Sequence, residues 1–414
     1  MKLKRALSIL LALVFVLTLL PAVSAPVKAD VSGTCGTNLT WTLSDSGVLT
    51  ISGSGNMIDF TTSTQDAWRY KRHAITRVVI SSGVTSIGAN AFYNCYSLTG
   101  VTISSSVKTI GEQAFGECTK LTGITIPYGV LEIGSKAFLN TPLVSLAIPD
   151  TVTSIGDEAF LGCKQLKQVN IGNGVVNIGT SAFDSNEELS YLRLGSGLRN
   201  IGYRAFAYCP ISVLVLPSGL TYIDGRAFLD CPLDVVVIPN SIEVIRDYAF
   251  SSSGEYYYCG AESEWSQVAL DTNSFDRLNI HYNSHGGFFS NNLGWGLGQD
   301  GLLSIGGNGA ITGFSSPSAY PWYSYQTGIT SVWIGDGITE IPIGLFRECS
   351  NLISISVDWG NERYSSENDV LFKADGADGN TLIAFPSGKV GEYYVPENVT
   401  SIEDYAFVSC SSLD

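Results

Sequence analysis

Nine cysteines and three histidines are the side chains here with the most chemistry to offer. Thiolates bind soft metals, exchange disulfides or attack as nucleophiles, and imidazoles carry protons or hold zinc. The spacing argues for something else. Seven cysteines (Cys95, Cys118, Cys163, Cys209, Cys231, Cys349 and Cys410) each stand three residues after a phenylalanine, and Thr141, Asn186 and Ser253 take the same place after other phenylalanines. A slot that accepts Cys, Thr, Asn or Ser wants a small side chain and does not require sulfur, so these thiols read as small buried hydrophobes. Cys35 and Cys259 lie outside the slot and either pair or stay free. His281 and His285 have zinc-like spacing, but no Cys-x-x-Cys precedes them, so no metal and no cofactor are expected. Asp375-Gly-Ala-Asp-Gly-Asn shares only composition with a calcium loop, lacking its alternate acidic positions and closing Glu, and reads as a turn. No Gly-x-Ser-x-Gly elbow, His-Glu-x-x-His helix or phosphate-cradling glycine loop is present, so no catalytic site is expected.

The phenylalanines that define the slot return every 22 or 23 residues: Phe92, Phe115, Phe138, Phe160, Phe183, Phe206, Phe228 and Phe250, each with an isoleucine five residues earlier. One unit runs Val84, Ile87, Gly88, Ala91, Phe92, Cys95, Leu98, Val101, Ile103, and the next repeats it as Val107, Ile110, Gly111, Ala114, Phe115, Cys118, Leu121, Ile124, Ile126. Self-similarity at this period means coils that cannot close a core alone and must stack on their neighbours. Val101 and Ile103, two apart between Gly and Thr, read as a strand with one buried edge, and Ala-Phe between polar residues suits a single helical turn. Proline fixes the corners at Ile126-Pro127, Ile148-Pro149, Leu216-Pro217 and Ile238-Pro239. The fold class expected is therefore mostly β with short helical turns, a solenoid whose parallel strands lie about 4.7 to 4.9 Å apart.

The motif Ile-Gly-x-x-Ala-Phe-x-x-Cys-x-x-Leu resembles the BspA-like leucine-rich repeat family of bacterial cell-surface proteins. The resemblance covers about Ser81 to Phe250, resumes at Ser331 to Ile355 with Phe346 and Cys349, and returns at Val399 to Leu413 with Phe407 and Cys410. It implies a leucine-rich repeat solenoid, no enzymatic activity, and adhesion to or binding of a protein on a host or neighbouring cell, or of a wall component.

A second order of repetition appears at an offset of 254 residues. Trp41, Leu43, Gly47, Leu49, Ile51, Gly53, Phe60, Trp68, Ile87, Phe92 and Cys95 fall on Trp295, Leu297, Gly301, Leu303, Ile305, Gly307, Phe314, Trp322, Ile341, Phe346 and Cys349 without a gap. Each copy reads as a β-hairpin cap on an open solenoid end, giving two tandem arrays. The expected organisation is a signal peptide (1–29), a first β cap (30–80), a solenoid (81–255), a terminating segment (256–283) with an echo of the repeat at Ser274-Phe275, a second β cap (284–330), and a second array, incomplete at its C-terminal end (331–414).

The first segment has a basic start (Lys2, Lys4, Arg5), an apolar run from Ala6 to Leu20 and small residues before a cut after Ala29, as a secretory signal requires. Losing it removes four positive charges and takes the formal charge from −15 to −19. An acidic surface of this kind is a poor partner for nucleic acid or anionic membrane. No later segment is apolar enough to span a bilayer.

Function must then lie on the repeated surface. The residues flanking the buried strand pairs are Gly100 and Thr102, Gly123 and Thr125, Ser145 and Ala147, Gln168 and Asn170, Tyr191 and Arg193, Val213 and Val215, Val235 and Val237. The face grows larger and more apolar toward the last coils. Two readings stand: Tyr191, Arg193, Val213, Val215, Val235 and Val237 form a recognition patch, or the segment from Tyr256 to Tyr282 folds over them. Rival functions are a passive spacer presenting a further domain beyond Asp414, and carbohydrate binding at the aromatic loops Trp68/Tyr70 and Tyr320/Trp322/Tyr323/Tyr325.

Overall fold

The structure is a computed structural model that describes residues 31–61, 68–250, 254–271, 279–290, 292–374 and 379–413. The proposed secretory segment, Ser253, Ser274-Phe275 and residues 375–378 of the Asp375 to Asn380 turn lie outside the described residues.

From Val84–Ile87 to Val244–Ile245 the strands that run unbroken through the first stack end on the repeat isoleucine. Val84–Ile87, Thr109–Ile110, Glu132–Ile133, Ser154–Ile155, Asn177–Ile178, Asn200–Ile201, Tyr222–Ile223, Val244–Ile245 and Ala269–Leu270, with Gly55–Asn56 at the far edge, form one ten-stranded parallel sheet. The opposite side carries the strands expected from the Val101 and Ile103 alternation, but in separate sheets. Gly100–Ile103 ends one sheet, Ser145–Ile148, Gln168–Ile171 and Tyr191–Arg193 form another, and Val213–Val215 and Val235–Ile238 begin a third. Val101 and Ile103 are only half-buried, whereas Leu146, Val169, Leu192, Leu214 and Val236 of later coils are buried.

Between the two sides lies the phenylalanine ladder. From Phe92 to Phe250 consecutive ring centroids are 5.0–5.6 Å apart with planes 3–20° from parallel. Trp68 extends the ladder past Phe92, at 5.6 Å and 14°, and donates its indole N–H to the Ala91 carbonyl oxygen at 2.7 Å. Ile87, Ile110, Leu98 and Leu121 are buried beside it.

The Ala-Phe turn is not the helical turn expected from its residues. Asn90 and Asn94 hold positive φ (57° and 63°), and the same two positions of the next coil, Gln113 and Glu117, do likewise (52° and 59°). In a helix each N–H would bond back along its own chain. Here the amides of Asn90, Phe92 and Asn94 bond instead to the carbonyls of Glu112, Ala114 and Gly116 in the following coil, at 2.8, 2.8 and 3.0 Å. Left-handed residues turn alternate amides outward for this ladder, while those of Ala91 and Tyr93 bond back to Gly88 and Asn90, at a cost of roughly 1–2 kcal/mol for each left-handed residue other than glycine. Stacking supplies the compensation, so the conformation belongs to the solenoid and not to the local sequence.

The leading element is a hairpin. Val31–Gly36, Leu39–Leu43 and Val48–Gly53 are antiparallel, and Val48–Gly53 then pairs in parallel with Arg77–Ile80. His285–Ser290, Leu293–Leu297, Leu302–Gly307 and Ser331–Ile334 reproduce that order, with Trp295 opposite Ile305 as Trp41 is opposite Ile51. The second hairpin packs Leu293, Trp295, Leu297, Leu303 and Ile305 into a core of its own with Phe346, Cys349 and Leu352. Farther on, Tyr364–Glu367, Val370–Ala374 and Asn380–Ala384 form an antiparallel sheet joined in parallel by Val399–Ile402.

The described parts of the segment from Tyr256 to Tyr282, residues 256–271 and 279–282, do not fold across the sheet face. They continue the stack in plane: Glu255–Tyr258 pairs in parallel with Val235–Ile238, and Asn279–His281 pairs with Glu255–Tyr258.

Candidate interaction surface

The outward side chains of the first stack divide into an open part and a covered part. Val213, Val235 and Val237 are 3, 0 and 4 % exposed, and Val215 is half-buried. They are covered by the second hairpin. The reading of these valines as a recognition patch is thereby corrected: their apolar side chains are buried within the chain, which is more favourable than facing water.

Alternation along the hairpin puts Leu293, Trp295 and Leu297 on its own core side and Gly294 and Gly296 on the other. A Cβ added at Gly286, Gly294, Gly296 or Gly306 would collide with Val237, Val213, the Tyr257 ring and Asp234 respectively. Polar contacts close the joint. The Tyr257 hydroxyl donates to Ser304 Oγ at 2.5 Å, the Gly307 amide donates to Asp234 Oδ2 at 3.1 Å, and Asn308 Nδ2 donates to Ser212 Oγ at 3.4 Å. Phe288 meets the Tyr191 ring edge-on at 6.1 Å.

The signal for this joint was present in the sequence as a departure from the 254-residue repetition. Ser32, Thr40, Thr42 and Ser52 of the first hairpin correspond to Gly286, Gly294, Gly296 and Gly306, and Thr34 corresponds to Phe288. Ser32, Thr34, Thr40 and Thr42 are exposed. The hairpin that faces water carries hydroxyls, and the hairpin that is pressed against valines carries glycine, which lets backbone approach closely.

The open part is polar. Ser145, Ala147, Gln168 and Arg193 are exposed, and Asn170 and Tyr191 half-exposed. Beside them runs a groove of about 590 Å³ that crosses consecutive coils and is lined by Ala147, Asn170, Asn173, Arg193, Ser196 and Ser218, among others. The groove's rim is itself a ladder. Asp150 Oδ1 accepts the Asn173 amide at 2.6 Å, and Asn173 Oδ1 accepts the Ser196 amide at 3.0 Å.

No cysteine is in a disulfide. Cys95, Cys118, Cys163, Cys209, Cys231 and Cys349 are buried in the slot, Cys410 is half-buried, Cys35 is buried and Cys259 exposed. Burial pushes the thiols of Cys118, Cys163, Cys231 and Cys349 up to about 12, where almost no thiolate exists at neutral pH. His281 is held between Glu255 Oε2 and Asp300 Oδ2, each at 2.7 Å, and stacks on Tyr257, while His285 stacks on Tyr325. The two are thus taken up by different contacts, and among the described residues no group of three or more His, Cys, Asp or Glu side chains is placed to hold a metal ion. Of the aromatic loops weighed for carbohydrate binding, Trp68 and Trp322 are each 1 % exposed and plug the ends of their cores, while Tyr70, Tyr323 and Tyr325 remain accessible. Among the described residues no helix is long and apolar enough to cross a membrane.

No curated protein sequence matches this chain. Among solved structures, a leucine-rich repeat protein from Eubacterium ventriosum is 19 % identical, over 92 % of this chain and 95 % of that one, with a TM-score of 0.35. A leucine rich cell surface protein from Faecalibacterium prausnitzii is 22 % identical over 59 % and 99 %, with a TM-score of 0.25. The pneumococcal vaccine antigen PcpA is 14 % identical over 62 % and 99 %, with a TM-score of 0.32. The family described as BspA type leucine rich repeat region (6 copies) matches residues 65–152, 131–256 and 383–414, which hold the phenylalanine ladder from Phe92 to Phe250 and all the slot cysteines except Cys349. On that repeat, and on the solenoid it builds, the chain belongs to the BspA type leucine-rich repeat family.

Proposed function

We propose that this is a secreted, surface-associated protein without catalytic activity that binds a protein on a host or neighbouring cell, or a wall component, through the open polar face of its first stack. The observation that supports this most is the division of that face. The valine half is closed by the second hairpin, whereas Gln168, Asn170, Tyr191 and Arg193 stay accessible beside a groove. Tyr and Arg are the side chains most often found as interface anchors. Secretion is supported by the basic and apolar character of residues 1–29, and the domain plan by the two hairpins, read as caps of arrays 81–255 and 331–414. The acidic balance of the chain argues against nucleic acid as a partner.

The test is attachment of the labelled protein to cultured epithelial cells and to whole bacteria. Arg193→Ala with Gln168→Ala should weaken attachment about thirtyfold, the equivalent of losing one anchor of about 2 kcal/mol, with an unchanged melting temperature. Attachment that does not differ between variant and parent would remove this face from the function. A chain that attaches to neither surface would favour a spacer.

A further inference from the structure

We propose that the joint between the last coils of the first stack and the second hairpin is a clasp that tightens on acidification, with Asp234 and His281 as its titrating groups. Both side chains sit where the hairpin docks. Asp234 immediately precedes the covered valine strand and faces the Gly307 amide of the hairpin, with Gly306 packed on its Cβ. His281 ends the strand Asn279–His281 and bridges Glu255, on the neighbouring strand, to Asp300, at the hairpin's turn.

The charges around each group act in the same sense. Burial raises the Asp234 carboxyl to about 7; the Gly307 N–H opposes this by favouring the ionised form, and the carboxylates of Asp336 and Asp358, on the two turns that follow in the second stack, add to the rise. For His281 burial alone acts downward, but hydrogen bonding to Glu255 and the charge and hydrogen bond of Asp300 outweigh it, and the imidazole lies above its ordinary value. Asn279 Nδ2 donates to Glu255 Oε1 at 3.3 Å, and the Tyr257 ring, whose hydroxyl is bound to Ser304, lies against the imidazole at 4.8 Å. These are the polar and titratable groups that the neighbouring elements present to the pair.

A group whose value is higher docked than undocked binds a proton on docking, so docking is strongest at low pH. For Asp234 the loss runs from the ordinary carboxylate value of 3.8 up to about 7. For His281 the part linked to docking is the Asp300 contact, since Glu255 lies on the neighbouring strand of the same stack; it is fully present at low pH and disappears as pH rises through the higher docked value. The windows adjoin, and docking weakens continuously from mildly acidic to mildly basic conditions. Between pH 6 and 8 the Asp234 carboxyl by itself gives a change of about tenfold, since in that range one proton per docking event is exchanged over part of the interval.

Hydrogen–deuterium exchange of the full chain tests this, with intrinsic rates corrected for pH. Peptides covering residues 293–307 should lose about tenfold or more in protection from pH 6 to 8, while peptides of the ladder around Phe138 and Phe160 should not. Asp234→Asn should remove most of the fall below pH 7, and His281→Gln the remainder above 6.5. A pH-independent protection factor, or a fall that persists unchanged in both variants, overturns the proposal. Should either variant fail to fold, the unmodified chain still decides by nuclear magnetic resonance. The His281 imidazole should titrate above 6.5, and its value should fall in Gly296→Thr, whose side chain prises the hairpin from Tyr257 and takes Asp300 from the imidazole while Glu255 stays. Titration at or below 6.5 in the unmodified chain overturns the clasp.

Discussion

The Cys118 thiol donates to the carbonyl oxygen of Phe92, one coil earlier, at 3.2 Å. Cys163, Cys209 and Cys231 make the same bond to Phe138, Phe183 and Phe206 at 3.2, 3.2 and 3.1 Å. The slot therefore selects a small side chain with a donor. Thr141 and Asn186 supply one too, bonding to Phe138 and Phe183 of their own coils at 2.6 and 2.9 Å.

It follows that Cys118→Ser should be tolerated, at a cost of about 1 kcal/mol, and be no less stable than Cys118→Ala. A buried hydroxyl without a partner would make serine worse than alanine by about 1–3 kcal/mol. Urea denaturation of the two variants separates these cases.

Thiol chemistry should follow burial. Iodoacetamide at pH 8 should modify Cys259 readily and Cys410 slowly in the folded protein, leave the other slot cysteines and Cys35 unmodified, and reach all nine in denaturant. Rapid native labelling of Cys118 or Cys163 would mean that the ladder opens locally.

Stacking makes the worth of a phenylalanine depend on its neighbours. Phe160 is fully buried between Phe138 and Phe183, and its truncation to alanine should cost roughly 3–5 kcal/mol. Phe407 is half-buried and stacks on Phe385 at 5.3 Å and 26°. Phe407→Ala should cost less than half as much, as measured by the thermal unfolding of each variant. Equal losses would contradict a core in which each coil is completed by the coils on either side.

Restoring the first hairpin's residues in the second should open the joint. Gly294→Thr with Gly296→Thr, the pair found as Thr40 and Thr42, should leave the first stack folded and expose Val213, Val235 and Val237. Increased binding of an apolar dye, with a far-ultraviolet circular dichroism spectrum like the parent's, is the expected result. An unchanged dye signal would mean that the valines are closed by something other than the fit of glycine against them.

The periodicity of Ile87, Phe92, Cys95 and Leu98 was enough to determine the solenoid, because a coil of this length has only one way to bury four apolar residues at fixed spacing, which is against copies of itself. The burial of the slot cysteines followed from the same arithmetic. Conformation at Asn90 and Asn94 did not, since residues that would suit a helical turn are drawn into left-handed geometry by acceptors on the next coil, which no local preference records. Nor did the fate of the outward face. Val213 and Val237 look like a patch for a partner in their own stretch of sequence, and only the tertiary structure brings Gly294 and Gly286 onto them from many residues away. A glycine where the first copy has threonine is ambiguous until the surface it touches is known, because the absence of a side chain acquires meaning from what occupies the space.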